Sequence, residues 1–229
     1  MEEQRLEEMG AFFDARSKSY DEVHTGHIGG GLESKHVPAL YLPEGCKELL
    51  DLGIGTGLEL ETVFQRFPEV RVTGIDLSGE MLGLLRKKYP DKKLLLHRMS
   101  YFDFDMGENR YDGALTVMTL HHYTHQVKTE LYRRILRSLK PGGVYVECDY
   151  MIPAEEVEDP QGTEDFFFAE YERLKREQGL DREKEYHYDT PCTVENQKKM
   201  LLAAGFREVK EVWRKESTVV LTAKKAISN

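Results

Sequence analysis

The feature that most constrains the fold is an apolar strand that runs directly into three alternate glycines and then into a helix. Residues 49–59 have the sequence L-L-D-L-G-I-G-T-G-L-E, with glycine at Gly53, Gly55 and Gly57. Alternate glycines let the backbone turn tightly and approach a ligand without an intervening Cβ atom. The segment therefore predicts a strand–turn–helix unit whose turn lies against a bound molecule.

Strands and helices alternate regularly through this part of the chain. Apolar runs bounded by turn residues predict strands, and apolar positions at helical spacing predict helices between them. This alternation is typical of right-handed crossovers and of a parallel sheet covered by helices on both faces. The predicted strands are residues 47–52, 70–75, 93–97, 111–118 and 143–148, and the predicted helices are residues 58–67, 78–89 and 124–139.

The alternation ends after the fifth strand. A helix capped by Thr193 then leads into residues 206–213 and 218–223, which predict a closing hairpin. We therefore predict one domain with an α/β, Rossmann-like fold: a seven-stranded, mostly parallel sheet with an antiparallel last strand and helices on both faces. Its predicted parts are N-terminal cap helices (1–44), a cofactor-binding core (45–151), a lid insertion (152–192) and a C-terminal helix and hairpin (193–229).

The two cap segments have weaker patterns. Residues 1–20 predict one acidic amphipathic helix, and residues 33–41 predict a short helix after a glycine-rich loop at 27–31. In the insertion, the run from Phe166 to Phe168 predicts the apolar core of the lid, with an aromatic clamp on a substrate as the alternative. We expect these segments to build the substrate pocket.

Composition limits the function further. Asp and Glu number 41 against 32 Lys and Arg, so the net charge is −9 with histidine neutral. An acidic chain lacks the positive field that nucleic-acid binding requires, so this partner is disfavoured. No apolar run approaches the roughly 18 residues of a membrane span, and the acidic N-terminus lacks the pattern of a secretion signal. Three dispersed cysteines are too few for a disulfide framework or a zinc cluster. We expect a cytoplasmic protein without a membrane partner.

A second carboxylate defines the ligand class. Asp76 ends the second predicted strand, 23 residues after Gly53, where a carboxylate can accept both hydroxyls of a ribose. Dinucleotide-binding turns favour G-x-G-x-x-G, which presents a helix N-terminus to a pyrophosphate. Here the spacing is G-x-G-x-G, and Asp51 and Glu59 place negative charge where the pyrophosphate would lie. A nucleoside with a positive ammonium or sulfonium group fits better than a nicotinamide cofactor, which remains the alternative.

Residues 45–150 resemble a class I S-adenosylmethionine-dependent methyltransferase, with L-D-L-G-I-G-T-G at 50–57 as the first motif of that family. The closing hairpin, residues 204–225, is similar to the family's reversed last strand. Residues 1–40 and the insertion resemble the caps of its small-molecule branch. The resemblance implies S-adenosyl-L-methionine as the cofactor, S-adenosyl-L-homocysteine as the product and a small-molecule substrate.

The resemblance also implies roles for individual residues. Asp51 and Gly53 would contact the amino-acid end of the cofactor, Asp76 its ribose and Tyr20 its methionine part. Leu77 and Met81 would pack on the adenine. Ser100 occupies the place of an acid that many relatives direct at the adenine amine, and Tyr101 would cover the ring instead. The complete set implied for the cofactor is Tyr20, Asp51, Gly53, Gly55, Gly57, Asp76, Leu77, Met81, Ser100, Tyr101 and Thr116.

Methyl transfer from a sulfonium is an in-line displacement, so the protein mainly positions the acceptor and excludes water. A base is needed only if the acceptor must lose a proton. His121 and His122 follow the fourth predicted strand and are the candidate catalytic residues, with a packed helix entry as the structural alternative. The same segment has neither [Asp/Asn]-Pro-Pro-Tyr nor Pro-Cys, which lowers the expectation of nucleic-acid base methylation.

Other polar residues could reach the same pocket. Asp149, after the fifth strand, could orient a base or bind a cationic acceptor, and His187 and Asp189 lie at the exit of the insertion. These residues lack helical metal-ligand spacing, so we predict no metal. Three alternatives stay open: processing of an S-adenosylmethionine derivative, binding of an adenosyl ligand without methyl transfer, and methylation of a protein side chain. The acceptor and the oligomeric state are not predicted.

Overall fold

The computed structural model describes residues 5–27, 29–181 and 184–227, and its centre is one sheet. The seven long strands are hydrogen-bonded in the order β3-β2-β1-β4-β5-β8-β7, and the short β6 pairs with β5 beside this path. The strands are β1 (Glu48–Leu52), β2 (Arg71–Asp76), β3 (Leu94–Arg98), β4 (Tyr111–Val117), β5 (Leu139–Ile152), β6 (Cys192–Thr193), β7 (Arg207–Lys215) and β8 (Thr218–Lys224).

The strand directions confirm the predicted fold. β1 is parallel to β2 and to β4, and β4 is parallel to β5. β8 lies antiparallel to β5, with Cys148 opposite Val220, and is also antiparallel to β7. The sheet is therefore mostly parallel and contains one reversed strand, the last in the chain. Because the carboxyl ends of the parallel strands share one edge, the turns after β1, β2 and β4 meet there.

Helices cover both faces of the sheet over two apolar cores. The predicted helix ends are confirmed at particular residues: Ser78 Oγ accepts a hydrogen bond from Met81 N at the start of α6, and Thr193 Oγ1 accepts one from Asn196 N at the start of α9. Gly205, with φ of 107°, ends α9 in the left-handed region. The covering helices are α5 (Leu60–Arg66), α6 (Gly79–Lys88), α7 (His125–Ser138) and α9 (Val194–Ala204).

The N-terminal segment differs from its prediction. The single helix expected over 1–20 is instead α1 (Met9–Arg16) followed by α2 (Tyr20–His27), and residues 1–4 lie outside the described residues, as does Ile28 of the glycine-rich loop. Ser17 Oγ donates to Asp14 O and Ser19 Oγ donates to Arg16 O. Between α1 and α2, these hydroxyl groups therefore bind carbonyl oxygens of the backbone.

The short helix expected over 33–41 is also divided. It consists of α3 (Gly31–Ser34) and α4 (Val37–Leu40). Pro38 lies in the first turn of α4. Because proline has no N–H to donate to the preceding turn, the helix cannot run on through it, and a new turn begins.

The insertion contains one long helix, α8 (Pro160–Glu177). The prediction that the phenylalanine run is its core is wrong for Phe166, which is 62% exposed. The buried residues of α8 include Tyr171 and Leu174, and these pack in a separate apolar cluster with Leu6, Tyr186 and Tyr188, which we call the cap cluster. Consecutive residues of a helix point in different directions, so a run of three cannot all face one core. None of the helices in the described residues is long and apolar enough to cross a membrane.

Candidate functional site

A cleft lies at the carboxyl ends of β1, β2 and β4. This position, where the strand order reverses, is the usual ligand site of an open α/β sheet. We call it the main cleft. It is lined by Met9, Phe13, Tyr20, His24, Gly53, Ile54, Gly55, Thr56, Leu58, Glu59, Asp76, Leu77, Met81, Tyr101, Val117, Met118, Thr119, His122 and Tyr123.

The glycine turn forms the floor of the main cleft. Gly53, Gly55 and Gly57 have φ of 73°, 51° and 65°, which a residue with a side chain rarely adopts. At Gly53 there is also no room, because an added Cβ would overlap the side chain of Thr119. Gly55 N donates to Asp76 Oδ2 at 2.8 Å, so the acid after β2 holds the turn in place. Backbone amides therefore approach the cleft directly.

Two buried carboxylates give the main cleft its charge. Both oxygens of Asp51 and Oε1 of Glu59 are buried and make no hydrogen bond within the described residues. Burial and the neighbouring Glu59 raise the pKa of the Asp51 carboxyl well above its ordinary value. The described residues that line the cleft include neither lysine nor arginine. A cationic ligand would satisfy these unpaired oxygens, because buried carboxylates without partners are costly.

Most of the predicted cofactor residues come together here. Tyr20, Leu77, Met81 and Tyr101 line the main cleft with Gly53, Gly55 and Asp76. Asp51 lies buried behind this lining. Gly57 is not among the lining residues but continues the same turn into α5.

Two predicted contacts lie elsewhere. Thr116 is fully buried, and its Oγ1 is 2.5 Å from Tyr145 OH, away from the cleft. Successive residues of a strand point to opposite faces, and it is the neighbouring Val117 that lines the cleft. Ser100 borders a neighbouring surface groove, and its Oγ accepts a hydrogen bond from Phe102 N. The lining residues that sequence reasoning missed include His24, Thr119 and Phe13, which carry no local pattern.

A second cavity adjoins the main cleft, and we call it the side cavity. The two share Phe13, Tyr20, His24, Met118 and His122, so these residues form the boundary between them. Aromatic rings and imidazoles dominate its walls. The remaining lining residues are Phe12, Arg16, Ser19, Val23, His121, Tyr150, His187 and Asp189.

His121 and Asp149 form a buried pair in the wall of the side cavity. His121 Nδ1 lies 2.5 Å from Asp149 Oδ1, and both side chains are almost fully buried. The backbone N–H groups of Leu120 and His121 donate to the other oxygen of Asp149, at 2.7 and 3.1 Å. Burial alone would lower the pKa of His121, but the Asp149 carboxylate outweighs it and the pKa is raised. The pair thus makes His121 a stronger base than an ordinary histidine.

His122 differs from His121. Burial and the neighbouring His121 hold its pKa well below the ordinary value, so the ring is neutral at pH 7. Its Nδ1 donates to Tyr188 O at 3.1 Å, which leaves Nε2 with a lone pair. Donor atoms of His121, His122 and Asp189 lie within 4.8 Å of one another. Asp189 Oδ1 lies 3.5 Å from His121 Nε2 and 3.4 Å from His122 Nδ1, and we interpret this group as a polar cluster in the cavity wall.

The two cap segments meet over the side cavity. Met9 N donates to Glu185 O and His187 N donates to Glu7 O, both at 2.9 Å, which joins the N-terminal segment to the exit of the insertion as an antiparallel bridge. The Phe12 ring stacks on the His187 ring with centroids 3.5 Å apart. The cavity wall therefore depends on both segments at once.

Comparison with known proteins agrees with this geometry. A family model described as a methyltransferase domain matches residues 49–143. The chain is 30% identical over 199 residues to the carboxy-S-adenosyl-L-methionine synthase of Wolinella succinogenes, a match that covers 80% of this chain and 78% of that one.

Solved structures show the same fold. Human N-acetylserotonin methyltransferase in complex with S-adenosylmethionine superposes with a TM-score of 0.65 and 17% identity, over 92% of this chain and 55% of that one. DesVI of Streptomyces venezuelae superposes with a TM-score of 0.65 and 18% identity, over 92% and 98% of the two chains. The chain thus spans about half the length of the human structure and nearly all of the bacterial one.

Proposed function

Because the chain belongs to the class I S-adenosylmethionine-dependent methyltransferase family, we propose that it methylates a hydroxyl group of a small molecule bound in the side cavity. The observation that carries this proposal is the buried His121–Asp149 pair in the cavity wall. A histidine held by a carboxylate serves an acceptor that must lose a proton, and a hydroxyl group is such an acceptor. The acidic net charge and the partly aromatic cavity favour a small molecule over a nucleic acid.

The residues of the main cleft fit the cofactor of this family. The unpaired oxygens of Asp51 and Glu59 would bind its positive amino-acid end, and Asp76 would accept the ribose hydroxyls. Leu77 and Met81 would pack on the adenine from the side of α6. When bound, S-adenosylmethionine supplies a methyl group on a positive sulfur, which makes the sulfur a good leaving group.

The chain's own residues would then prepare the acceptor. Asp149 holds His121 with Nδ1–H directed at the carboxylate, so that Nε2 can accept the proton of the acceptor hydroxyl. Neutral His122, at the boundary of the two cavities, would orient that hydroxyl. Phe12 and Phe13 would hold the body of the acceptor and exclude water.

We also propose a cytoplasmic location. All three cysteines, Cys46, Cys148 and Cys192, are free and buried. Free cysteines agree with a reducing compartment.

The experiment combines binding with turnover. S-adenosylhomocysteine should bind the purified chain in calorimetry, and Asp76→Ala should abolish that binding. A panel of phenols and hydroxy acids, incubated with S-adenosylmethionine, should then contain an acceptor whose mass rises by one methyl group. His121→Ala should lower kcat for this acceptor by about 10²–10⁴-fold, the usual contribution of a general base, and leave cofactor binding intact.

The pH profile separates a base from a structural role. Only neutral His121 accepts a proton, and its pKa is raised, so the rate should rise with pH through a range above that of an ordinary histidine. Asp149→Asn should move this rise in rate to lower pH and reduce kcat, because it removes the negative charge that raises the pKa of His121. An unchanged profile in Asp149→Asn, or full turnover in His121→Ala, would contradict the base.

The ligand that co-purifies tests the alternative of S-adenosylmethionine-derivative processing. The Wolinella relative is named for a carboxylated form of the cofactor. An added carboxylate needs a cationic partner. The described lining of the main cleft offers no lysine or arginine, and Arg16 of the side cavity is already paired with Glu7 at 2.7 Å. We therefore expect mass spectrometry to detect S-adenosylmethionine or S-adenosylhomocysteine, and a carboxylated adenosyl ligand would favour the alternative.

A further inference from the structure

A second cluster of potential metal ligands lies outside both cavities, where the insertion meets the core. His125 is in the first turn of α7, Glu164 is on α8, and Cys192 is in β6. One donor atom from each residue lies within 4.8 Å of the other two. Glu164 and Cys192 are fully buried, and the His125 side chain is 41% exposed.

The donor atoms of the three residues converge. His125 Nε2 is buried and contacts the Glu164 carboxylate. Its ring is held from the side by Phe168, in an edge-on contact with centroids 5.3 Å apart. An imidazole, a carboxylate and a thiol that converge in this way are a donor set that zinc takes in proteins.

The surroundings fix two of the three donors. Thr193 N donates to Glu164 Oε2 at 2.5 Å, and Asn196 Nδ2 lies 3.2 and 3.3 Å from the two oxygens of the same carboxylate. Lys128 Nζ donates to Cys192 Sγ at 3.1 Å and is 3.5 Å from Gln197 Oε1. Such outer hydrogen bonds orient ligands and stabilise a thiolate beside a metal ion.

Charge and donor type select the ion. A divalent cation balances the charges of one thiolate and one carboxylate, and the Lys128 ammonium beside Cys192 adds one positive charge outside the ligand set. Sulfur and imidazole donors suit Zn²⁺, at about 2.3 Å for sulfur and about 2.0–2.1 Å for nitrogen, whereas Mg²⁺ and Ca²⁺ prefer oxygen.

We propose that His125, Glu164 and Cys192 bind one zinc ion that ties the insertion helix α8 to α7 and β6. The site is independent of the proposed methyl transfer, because none of its three ligands lines the main cleft or the side cavity. No sequence pattern indicates this site, because the three ligands lie far apart along the chain and come from different elements.

The test uses the full chain, freed of metal with a chelator and titrated with Zn²⁺ and with Co²⁺. We expect one Zn²⁺ per chain by elemental analysis, and one sulfur at about 2.3 Å from the zinc by X-ray absorption. Co²⁺ should give a thiolate-to-metal charge-transfer band in the near ultraviolet. Cys192→Ser should abolish this band, while Cys46→Ser, which changes another buried free cysteine, should keep it.

Further variants distinguish loss of the metal ligands from a folding defect. His125→Ala changes a partly exposed residue, and Glu164→Gln keeps an oxygen for Thr193 N, so both should fold and both should lose the stoichiometric metal. Asn196→Ala, which removes only a positioning contact, should weaken Zn²⁺ binding about 10–100-fold. Absence of stoichiometric binding would overturn the site. Co²⁺ binding without a charge-transfer band, and sensitive to Asp189→Ala, would place the metal in the side cavity and would equally overturn it.

Discussion

At the scale of single residues, a pair of buried acids lies at the main cleft, with Glu59 in its lining and Asp51 behind it. Asp51 and Glu59 are buried together, and burial raises the pKa of each. Two carboxylates this close titrate as a pair and hold protons at a pH where exposed acids are ionised. A bound ammonium or sulfonium group would favour the ionised forms. The charge of the cofactor and the proton content of the cleft are therefore coupled.

Cofactor binding should accordingly release protons. The free protein holds protons up to the raised pKa values, and the complex does not, so affinity for S-adenosylhomocysteine should increase as pH rises through that range and then level off. Calorimetry in two buffers of different ionisation enthalpy measures the release. Glu59→Gln should reduce it, because Asp51 then loses the larger of its two charged neighbours and Asp76 alone remains. Affinity independent of pH, with no proton release, would contradict this coupling.

At the scale of elements, the start of α6 connects the sheet to the N-terminal cap. Ser78 is fully buried, its Oγ accepts from Met81 N, and its hydroxyl donates to Asp14 Oδ1 on α1 at 2.5 Å. Glu80 N also donates to Asp14 Oδ1, at 3.2 Å. One cluster thus caps α6 and docks α1 beside the residues that would pack on adenine.

Removal of this cap should destabilise the protein measurably. Ser78→Ala should lower the free energy of unfolding by about 1 kcal/mol, because an orphan N–H of α6 loses its acceptor. Urea unfolding followed by circular dichroism measures the change. Ser19→Ala, at an exposed hydroxyl, is the control and should change stability by less than about 0.5 kcal/mol. Equal effects of the two substitutions would contradict the capping role.

At the scale of the whole molecule, the protein has a main body and a smaller cap with its own apolar cluster. The cap cluster joins Leu6, from the N-terminal segment, to Tyr171 and Leu174 of α8. The antiparallel bridge between Glu8 and Tyr186 fastens the same two segments. Because the wall of the side cavity comes from both, the cap should open as one unit while the sheet stays folded.

Leu6→Ala tests this cooperative unit. Leu6 is 5% exposed, and truncation of a buried leucine costs about 2–5 kcal/mol. Hydrogen exchange at the amides of Met9 and His187 should accelerate together, while exchange in β1 stays unchanged. Leu202→Ala, at a leucine that is 52% exposed, should leave all of these rates unaltered. Acceleration throughout the sheet, or at only one of the two amides, would contradict an independent cap.

The sequence was most informative where neighbouring residues decide the structure. Apolar periodicity predicted the seven long strands and which of them is antiparallel to the others. The alternate glycines with Asp76 predicted the turn and the cofactor cleft. It was less informative about the direction in which single side chains point, as at Thr116 and Phe166, and about the break between two helices, as at Ser17. Those outcomes depend on which face of an element is covered.

By itself, then, the sequence determined the sheet, the glycine turn and the family. These follow from patterns within about twenty residues. Such local patterns do not depend on which distant segments pack against them. Only the tertiary structure decided that His121 meets Asp149, that Glu7 pairs with His187, and that His125, Glu164 and Cys192 converge. Such contacts join residues far apart along the chain, and their distances are set by how the helices and the insertion pack on the finished sheet.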